Sequence, residues 1–280
     1  MESVRKAKHG GILTAFFTIL SVVYVMPIII VLYNSFKKKI FISNRPFELP
    51  NAKSFVGIEN YIEGIIKIEL PRAFGYSLFI TVCSVFLIVL CTSMCAWYIT
   101  RVKNAVTSGM YYLFAFSMIV PFQMVMFTLS KIADMLHLGN PVGIVIVYLG
   151  FGAGLAVFMF CGFVKSIPLE IEESAMIDGC TPIQTYFNIV FPVMKPTAIS
   201  VAILEAMWVW NDYLLPYLVL DIKKYKTIPI AIQYLKGGYG AIDMGAMMAM
   251  IILAIVPIII FYIACQKYII EGVVAGAVKG

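Results

Sequence analysis

Charge and histidine are what this chain has least of. Asp, Glu, Lys and Arg make up 13% of its 280 residues, and His9 and His137 are its two histidines. A soluble domain carries about 25% charged residues, so this chain cannot cover a globule with a wettable surface. A soluble enzyme, a disordered chain and a nucleic-acid-binding module are excluded together. Two histidines do not readily assemble a metal site or a histidine-based triad, and His137 reads as an exposed linker residue. No G-x-x-x-x-G-K-[ST] phosphate loop is present. Internal repeats and low-complexity tracts are missing too. Five of the six cysteines (Cys83, Cys91, Cys95, Cys161, Cys180, Cys265) lie in apolar runs, where a thiol behaves as a small hydrophobe. They imply neither a disulfide framework nor a metal site, and the Cys91/Cys95 pair reads as packing.

What the chain has is apolar length. Hydrophobic residues make up 61% and the mean hydropathy is +0.93. Six apolar runs, about 11–35, 73–99, 108–130, 141–164, 197–220 and 245–270, each reach the ~20 residues needed to cross a bilayer. Backbone groups in hydrocarbon must satisfy one another, and the runs do not alternate polar with apolar. Both facts predict helices rather than a barrel, in an all-α integral membrane protein. The first run is too long for a signal-peptide core and is expected to be retained. Pro27, Pro121, Pro216 and Pro257 predict kinks or breaks. The net charge of +6 fits contact with anionic membrane lipid rather than nucleic acid.

Six spans put both termini on one side. With the N-terminus inside, nine Lys/Arg fall on inner segments and twelve on outer ones, seven of them in residues 36–72. The positive-inside rule leans against that orientation, chiefly through Lys37–Lys39.

Residues 165–196 are too polar to span and too patterned for a plain loop. Pro168 starts a helix whose first turns carry Glu170, Glu172 and Glu173, favourable at a positive helix end. Leu169, Ala175 and Met176 are expected to share an apolar face. Gly179 offers a left-handed terminator. Thr181-Pro182-Ile183-Gln184 then reads as a capping box opening a second helix that stops near Pro192 and Pro196. On pattern alone, an interfacial hairpin and a docking surface are equally open.

Glu173-Ser174-Ala175-Met176-Ile177-Asp178-Gly179, followed by Ile189-Val190-Phe191-Pro192, resembles the EAA motif of ABC importer permeases, with Ser174 and Phe191 as departures. Trp210-Asn211-Asp212-Tyr213-Leu214-Leu215-Pro216 resembles the W-N-[DE]-aromatic-L-x-P signature of sugar permeases. The chain end from Glu271 to Gly280 is similar to the G-x-x-x-G-x-V-K-G tail of the smaller maltose-type subunit. The resemblance implies a type I ABC importer permease fold with six transmembrane helices in 11–270. It implies a cytoplasmic coupling loop at 165–196, a cytoplasmic N-terminus (1–10) and a cytoplasmic tail (271–280), in a bacterial plasma (inner) membrane. It further implies two ATPase subunits that bind ATP and Mg, a second, non-identical permease, an extracytoplasmic solute-binding protein and a sugar substrate. The chain itself would hold no cofactor or metal and catalyse nothing. Glu172, Glu173, Ala175, Met176, Asp178, Gly179, Ile189 and Pro192 would couple to the ATPase. The tail residues Gly276, Val278, Lys279 and Gly280 would reach the ATPase as well.

Two further groups are candidates. Glu205, Trp210, Asn211 and Asp212 are polar or aromatic groups in the fifth span, where an ionisable residue usually faces a cavity or a partner. They are expected to line the path. Lys236, Gly237, Gly238 and Tyr239 form a glycine-rich tip that resembles the outer loop touching the binding protein. A plain flexible turn reads equally well there. Gly150, Gly152 and Gly154 carry the small-residue spacing of close helix packing. A stand-alone secondary transporter would show paired halves, and an intramembrane enzyme would show convergent catalytic groups. A glycerol-phosphate-type importer would place cations in the spans, which nearly lack them.

Overall fold

The computed structural model describes residues 10–235 and 242–277, with side chains as far as 268. Among them the backbone is mostly helical, with an isolated antiparallel bridge between Lys37 and Phe55. The chain divides into two compact units. One is built from residues up to Leu70 and from Ile232–Val256, the other from Pro71–Ala231 and residues from Pro257 onward.

In the first unit α1 (Gly10–Asn34) is the first apolar run, and it passes through Pro27 without a break. Thr14, Thr18 and Ser21 return their hydroxyls to carbonyls four residues back, so these side chains carry no unmet polarity into the apolar run. The following loop is clasped to its end. Tyr33 Oη and Asn34 Nδ2 both donate to the Pro46 carbonyl, at 3.0 and 2.7 Å. Lys37, 1% exposed, donates its ammonium to the carbonyls of Arg45 and Glu48, each at 2.8 Å. Burial pulls its pKa down, opposed by the nearby Glu48. One of the three lysines that weigh most against the orientation is thus an internal clip rather than a surface charge. Two short helices follow, α2 (Lys39–Asn44) and α3 (Glu59–Lys67). Asn60 of α3 donates to the carbonyls of Ser35 and Lys37.

The second unit holds most of α4 (Leu70–Arg101), then α5 (Ala105–Ser117), α6 (Phe122–Met135) and α7 (Pro141–Val164). After them come α8 (Leu169–Ile177), α9 (Pro182–Thr185), a π turn over Tyr186–Val190, α10 (Phe191–Asn211), α11 (Leu214–Val219) and most of α12 (Ile228–Gln233). The last helix, α13 (Met244–Ala277), belongs to both units. Two apolar clusters fill the second unit. One joins Ile80 of α4, Ile144 and Tyr148 of α7, Val209 of α10 and Leu215 of α11. The other joins Ile99 of α4, Phe160 and Val164 of α7, and Met194 and Val201 of α10. Helices α4 and α7 therefore run in one direction and α10 in the other.

Several expected boundaries move. The run at 108–130 is not one helix but α5 and α6, bent by 107°. Pro121 has no N–H for the preceding turn and disfavours helical geometry at Val120, so the chain opens there. The second helix of the 165–196 segment does not stop at Pro192 or Pro196. The N–H of Phe191 reaches back five residues to Tyr186, and this wide turn meets Pro192 at the point where a helix N–H is absent. Pro182–Asn211 then forms one candidate span of 30 residues. The span expected at 197–220 consequently ends at Asn211. Residues 271–277, expected as part of a cytoplasmic tail, continue α13. Among the described residues, five helices are long and apolar enough to cross a membrane, and six if the bent α5–α6 pair counts as one span.

Small residues set the helix spacing. A Cβ on Gly154 would lie 2.6 Å from Ser117 Oγ, and one on Gly152 would lie 2.6 Å from Ile88 Cδ1. Gly150 meets nothing, so the close approach uses two of the three glycines.

Within the first unit Lys67 bonds both Glu63 (2.8 Å) and Asp243. The bond to Asp243 raises the Lys67 pKa. Burial pulls the Asp243 carboxyl up, but Lys67 and the Ala246 N–H outweigh it and hold the acid below its ordinary range. The acid's contribution to stability is present above its unfolded pKa and fades as pH falls through the lower folded one. The lysine's contribution is present below its unfolded pKa and fades as pH rises through the higher folded one. The pair is therefore at full strength from about pH 4 to pH 10. Asp243→Asn is expected to cost at most about 1 kcal/mol at pH 7, because Lys67 is half exposed. Detergent thermal melts should show the difference at pH 7 and a smaller one at pH 3.

Candidate functional site

Helix α8 is followed by a sequence-encoded stop and, at once, a new helix start. Gly179, at φ +88°, takes the left-handed position. Its N–H returns to the Met176 carbonyl and that of Cys180 to the Ala175 carbonyl, both at 3.0 Å, which closes the helix in a Schellman motif. Two residues later Thr181 and Gln184 form the expected reciprocal capping box, with Pro182 in the first helical position. A stop and a start this close leave one short rigid helix and an elbow.

The inward face of α8 differs from the expected one. Leu169 and Met176 are 47% and 48% exposed, and Ile177 is 86% exposed. The buried residues are Ala175 and, at 1% exposure, Glu172. Glu172 is buried because its carboxylate is fully used. Oε2 accepts from Trp97 Nε1 at 2.9 Å, and Oε1 accepts from Arg101 Nε and a terminal guanidinium nitrogen at 3.0 and 2.7 Å. Arg101 also donates to the Ile167 carbonyl, at 2.9 Å. A buried carboxylate survives only when its lone pairs are met, and three charge-assisted or indole bonds meet them.

Trp97 and Arg101 were not among the expected residues. They lie four apart on α4, with Ser93 another four before them, so the three share one face of that helix. Ser93 Oγ and Tyr186 Oη are hydrogen-bonded at 2.6 Å, and the rings of Trp97 and Tyr186 lie 5.6 Å apart. One face of α4 thereby grips both α8 and the π turn. A Trp–Arg pair spaced by four at the polar end of an apolar run was the available signal.

The other coupling candidates divide into outer and inner positions. Glu173, Asp178, Gly179 and Pro192 are exposed and Ile189 is half-buried. With Leu169, Ile171, Met176 and Ile177 they give α8 and its elbow an outer surface that mixes apolar side chains with carboxylates. Among the described residues no group of three or more His, Cys, Asp or Glu side chains is placed to hold a metal.

The fifth-span candidates sit at different depths of burial. Glu205 is 2% exposed, packed inside the chain between α7 and α4. A Cβ on Gly152 would lie 2.9 Å from its Oε2 and 2.6 Å from Ile88 Cδ1. Trp210 is buried with its ring edge-on to Phe74. Asp212 accepts from the N–H groups of Leu214 and Leu215 and from Tyr148 Oη, so its carboxylate turns the chain from α10 into α11. Asn211 alone is exposed, with its amide donating to Met207 O. Of the four, Glu205 and Trp210 are buried within the chain, Asp212 is half-buried and Asn211 is exposed. Lys236, Gly237, Gly238 and Tyr239, and also Val278, Lys279 and Gly280, lie outside the described residues. Gly276 lies in the last turn of α13.

Comparison with known proteins gives one consistent result. Residues 88–274 match the family described as "Binding-protein-dependent transport system inner membrane component". The chain is 38% identical, over all of its own length and all of the relative's, to "Probable starch degradation products transport system permease protein AmyC" of Thermoanaerobacterium thermosulfurigenes. It is 33% identical over 94% of each chain to "Multiple sugar-binding transport system permease protein MsmG" of Streptococcus mutans. The fold superposes with a TM-score of 0.78, at 20% identity and covering 96% and 99% of the two chains, on a bacterial ABC transporter involved in the import of the acidic polysaccharide alginate.

No atom lies within 4 Å of a Cβ built on Gly179, so alanine there meets no clash, only backbone strain at φ +88°. Gly179→Ala is expected to cost about 1–2 kcal/mol. A lowered melting temperature in detergent checks it, with exposed Gly162→Ala, which also meets nothing, as the unstrained control.

Proposed function

The chain belongs to the family of binding-protein-dependent transport system inner membrane components, and from that premise we propose that it forms half of the translocation pathway of an ATP-driven importer of sugars or oligosaccharides. The family is one of transport permeases, not of catalytic enzymes, and its members are inner-membrane components. ATP hydrolysis, with its Mg, is assigned to two partner ATPase subunits, and the other half of the pathway to a second, non-identical permease. An extracytoplasmic solute-binding protein delivers the sugar.

The observation that carries this reading is the outer face of α8. A nine-residue helix outside the spans holds its own glutamate buried while turning Leu169, Ile171, Met176 and Ile177 outward. Exposed apolar side chains grouped on a rigid polar segment are the mark of a protein interface. Glu173 and Asp178 beside them supply charge for a basic cleft. The α8 end of the bundle is then cytoplasmic, and with it both termini. Substrate class follows the relatives, whose names specify starch degradation products and multiple sugars. Glu205, Trp210, Asn211 and Asp212 are assigned to the path, with Asn211 exposed at the far end of α10. The segments 236–239 and 276–280 are assigned to the binding protein and to the ATPase on resemblance.

Affinity purification of this chain from native membranes in mild detergent is expected to bring along an ATPase with a phosphate-binding loop, a second permease and a solute-binding protein. Glu173→Ala or Met176→Asp should remove the ATPase and leave the second permease. In vesicles holding the whole complex, uptake of oligosaccharides from hydrolysed starch should require ATP inside and the binding protein outside. A chain that purifies alone and transports without ATP would refute the proposal.

A further inference from the structure

Resting on the coupling role of α8, we infer that Arg101, Glu172 and Trp97 are positioning residues that fasten α8 to α4. An ATPase movement received by α8 is then delivered directly to a membrane-spanning helix rather than absorbed at the elbow.

The surroundings of α8 show why a fastening is needed. The helix has nine residues, with Pro168 before it and a glycine in left-handed geometry after it. Both connections are hinges in principle, since helical hydrogen bonding stops at each. A short helix between two stops, pushed by a partner, would swing unless something outside its own backbone holds it. The carboxylate of Glu172 is that hold. It takes three N–H bonds from two residues of α4 one turn apart. Arg101 adds a fourth bond, to the carbonyl of Ile167 just before the helix, so the guanidinium spans the first hinge. The fork geometry of arginine fixes direction as well as distance.

The same face of α4 continues to the second hinge. Trp97 packs its ring against Tyr186, and Ser93 bonds the Tyr186 hydroxyl, at the turn where the segment after the elbow enters α10. Tyr186 is fully buried. Both sides of the elbow are thus tied to one ladder of Ser93, Trp97 and Arg101. Arg101 is 19% exposed at its side chain and Glu172 2%, so the pair is shielded from the salt screening that weakens surface pairs. The outward residues Glu173, Met176 and Ile177 take no part in the ladder. Binding the ATPase and passing on its movement are therefore carried by different faces of one helix, and the two can be separated by mutation.

The test uses the complete complex in vesicles, with hydrolysed-starch oligosaccharides as the probe and nitroxides built in at Tyr98 of α4 and Ser174 of α8, both exposed. In the unaltered chain the label distance is expected to be the same without nucleotide and with ATP and vanadate trapped. Glu172→Gln leaves Arg101 without its counter-charge and is expected to lower stability. The paired Arg101→Gln and Glu172→Gln variant removes both charges and should recover the melting temperature. Both variants should keep the ATPase bound. In the paired variant the label distance should change with nucleotide, and sugar moved per ATP hydrolysed should fall at least tenfold. That ratio does not depend on how much protein is present, so a purely structural role would leave it unmoved. An unchanged ratio in the paired variant, or a nucleotide-dependent distance in the unaltered chain, overturns the inference. Loss of the ATPase from the paired variant also overturns it, because the pair would then be needed to form the docking face. If the unaltered chain binds no ATPase, the proposed function fails first.

Discussion

One carboxylate settles the geometry at the α8 end of this protein. Glu172 is an acid in a position closed to water, and burying an ionised carboxylate costs several kcal/mol unless its charge is met. The indole of Trp97 and the guanidinium of Arg101 meet it from one side. That requirement fixes which face of α8 turns inward, and so which residues turn outward. An amphipathic helix would have laid its apolar stripe against the bundle. Here the strongest inward attraction is electrostatic, and the apolar residues are left for something else to cover.

The rest of the second unit follows the usual logic of helices in hydrocarbon, with close approach through small residues and polar side chains tied off internally. Gly152 and Gly154 admit neighbouring helices to distances no Cβ would allow. Asp212, Asn211, Thr92 and Ser93 spend their polarity on nearby backbone groups or on a neighbouring side chain. Glu205 Oε2 is an exception, buried without a hydrogen bond, as are the hydroxyls of Thr81, Ser84, Thr185 and Thr227.

The sequence made some of this legible and hid the rest for identifiable reasons. Apolar run length located the spans because bilayer thickness sets it. The glycine stop and the Thr181–Gln184 box were readable because capping is local, decided within four residues. The break at Pro121 was foreseen as a kink or a break, whereas the passage through Pro192 was not. Proline states only that an N–H is missing, and whether the helix ends or widens depends on the turn before it. The burial of Glu205 and Trp210 was not legible because periodicity does not tell a polar group facing a cavity from one facing a neighbouring helix. The Glu172 site was missed for a related reason. Its two donors lie about seventy residues earlier, and only the crossing of α4 with α8 brings them together.

The π turn at Tyr186–Val190 has a consequence for the phase of the chain. An α-helix advances about 100° per residue, so one residue more or less before Phe191 would turn the short segment from Pro182 by that angle relative to α10. The wide turn holds one residue beyond the α-helical count, with the bond from Phe191 to Tyr186 closing over it. Side chains on the two sides of this point therefore do not belong to a single helical wheel. The face that α10 presents to α7 and the orientation of the segment leading back to α8 are set independently, separated by the insertion of one amino acid. Substitution along either stretch leaves that angle alone, whereas a single-codon deletion within the π turn would turn the segment from Pro182 against α10.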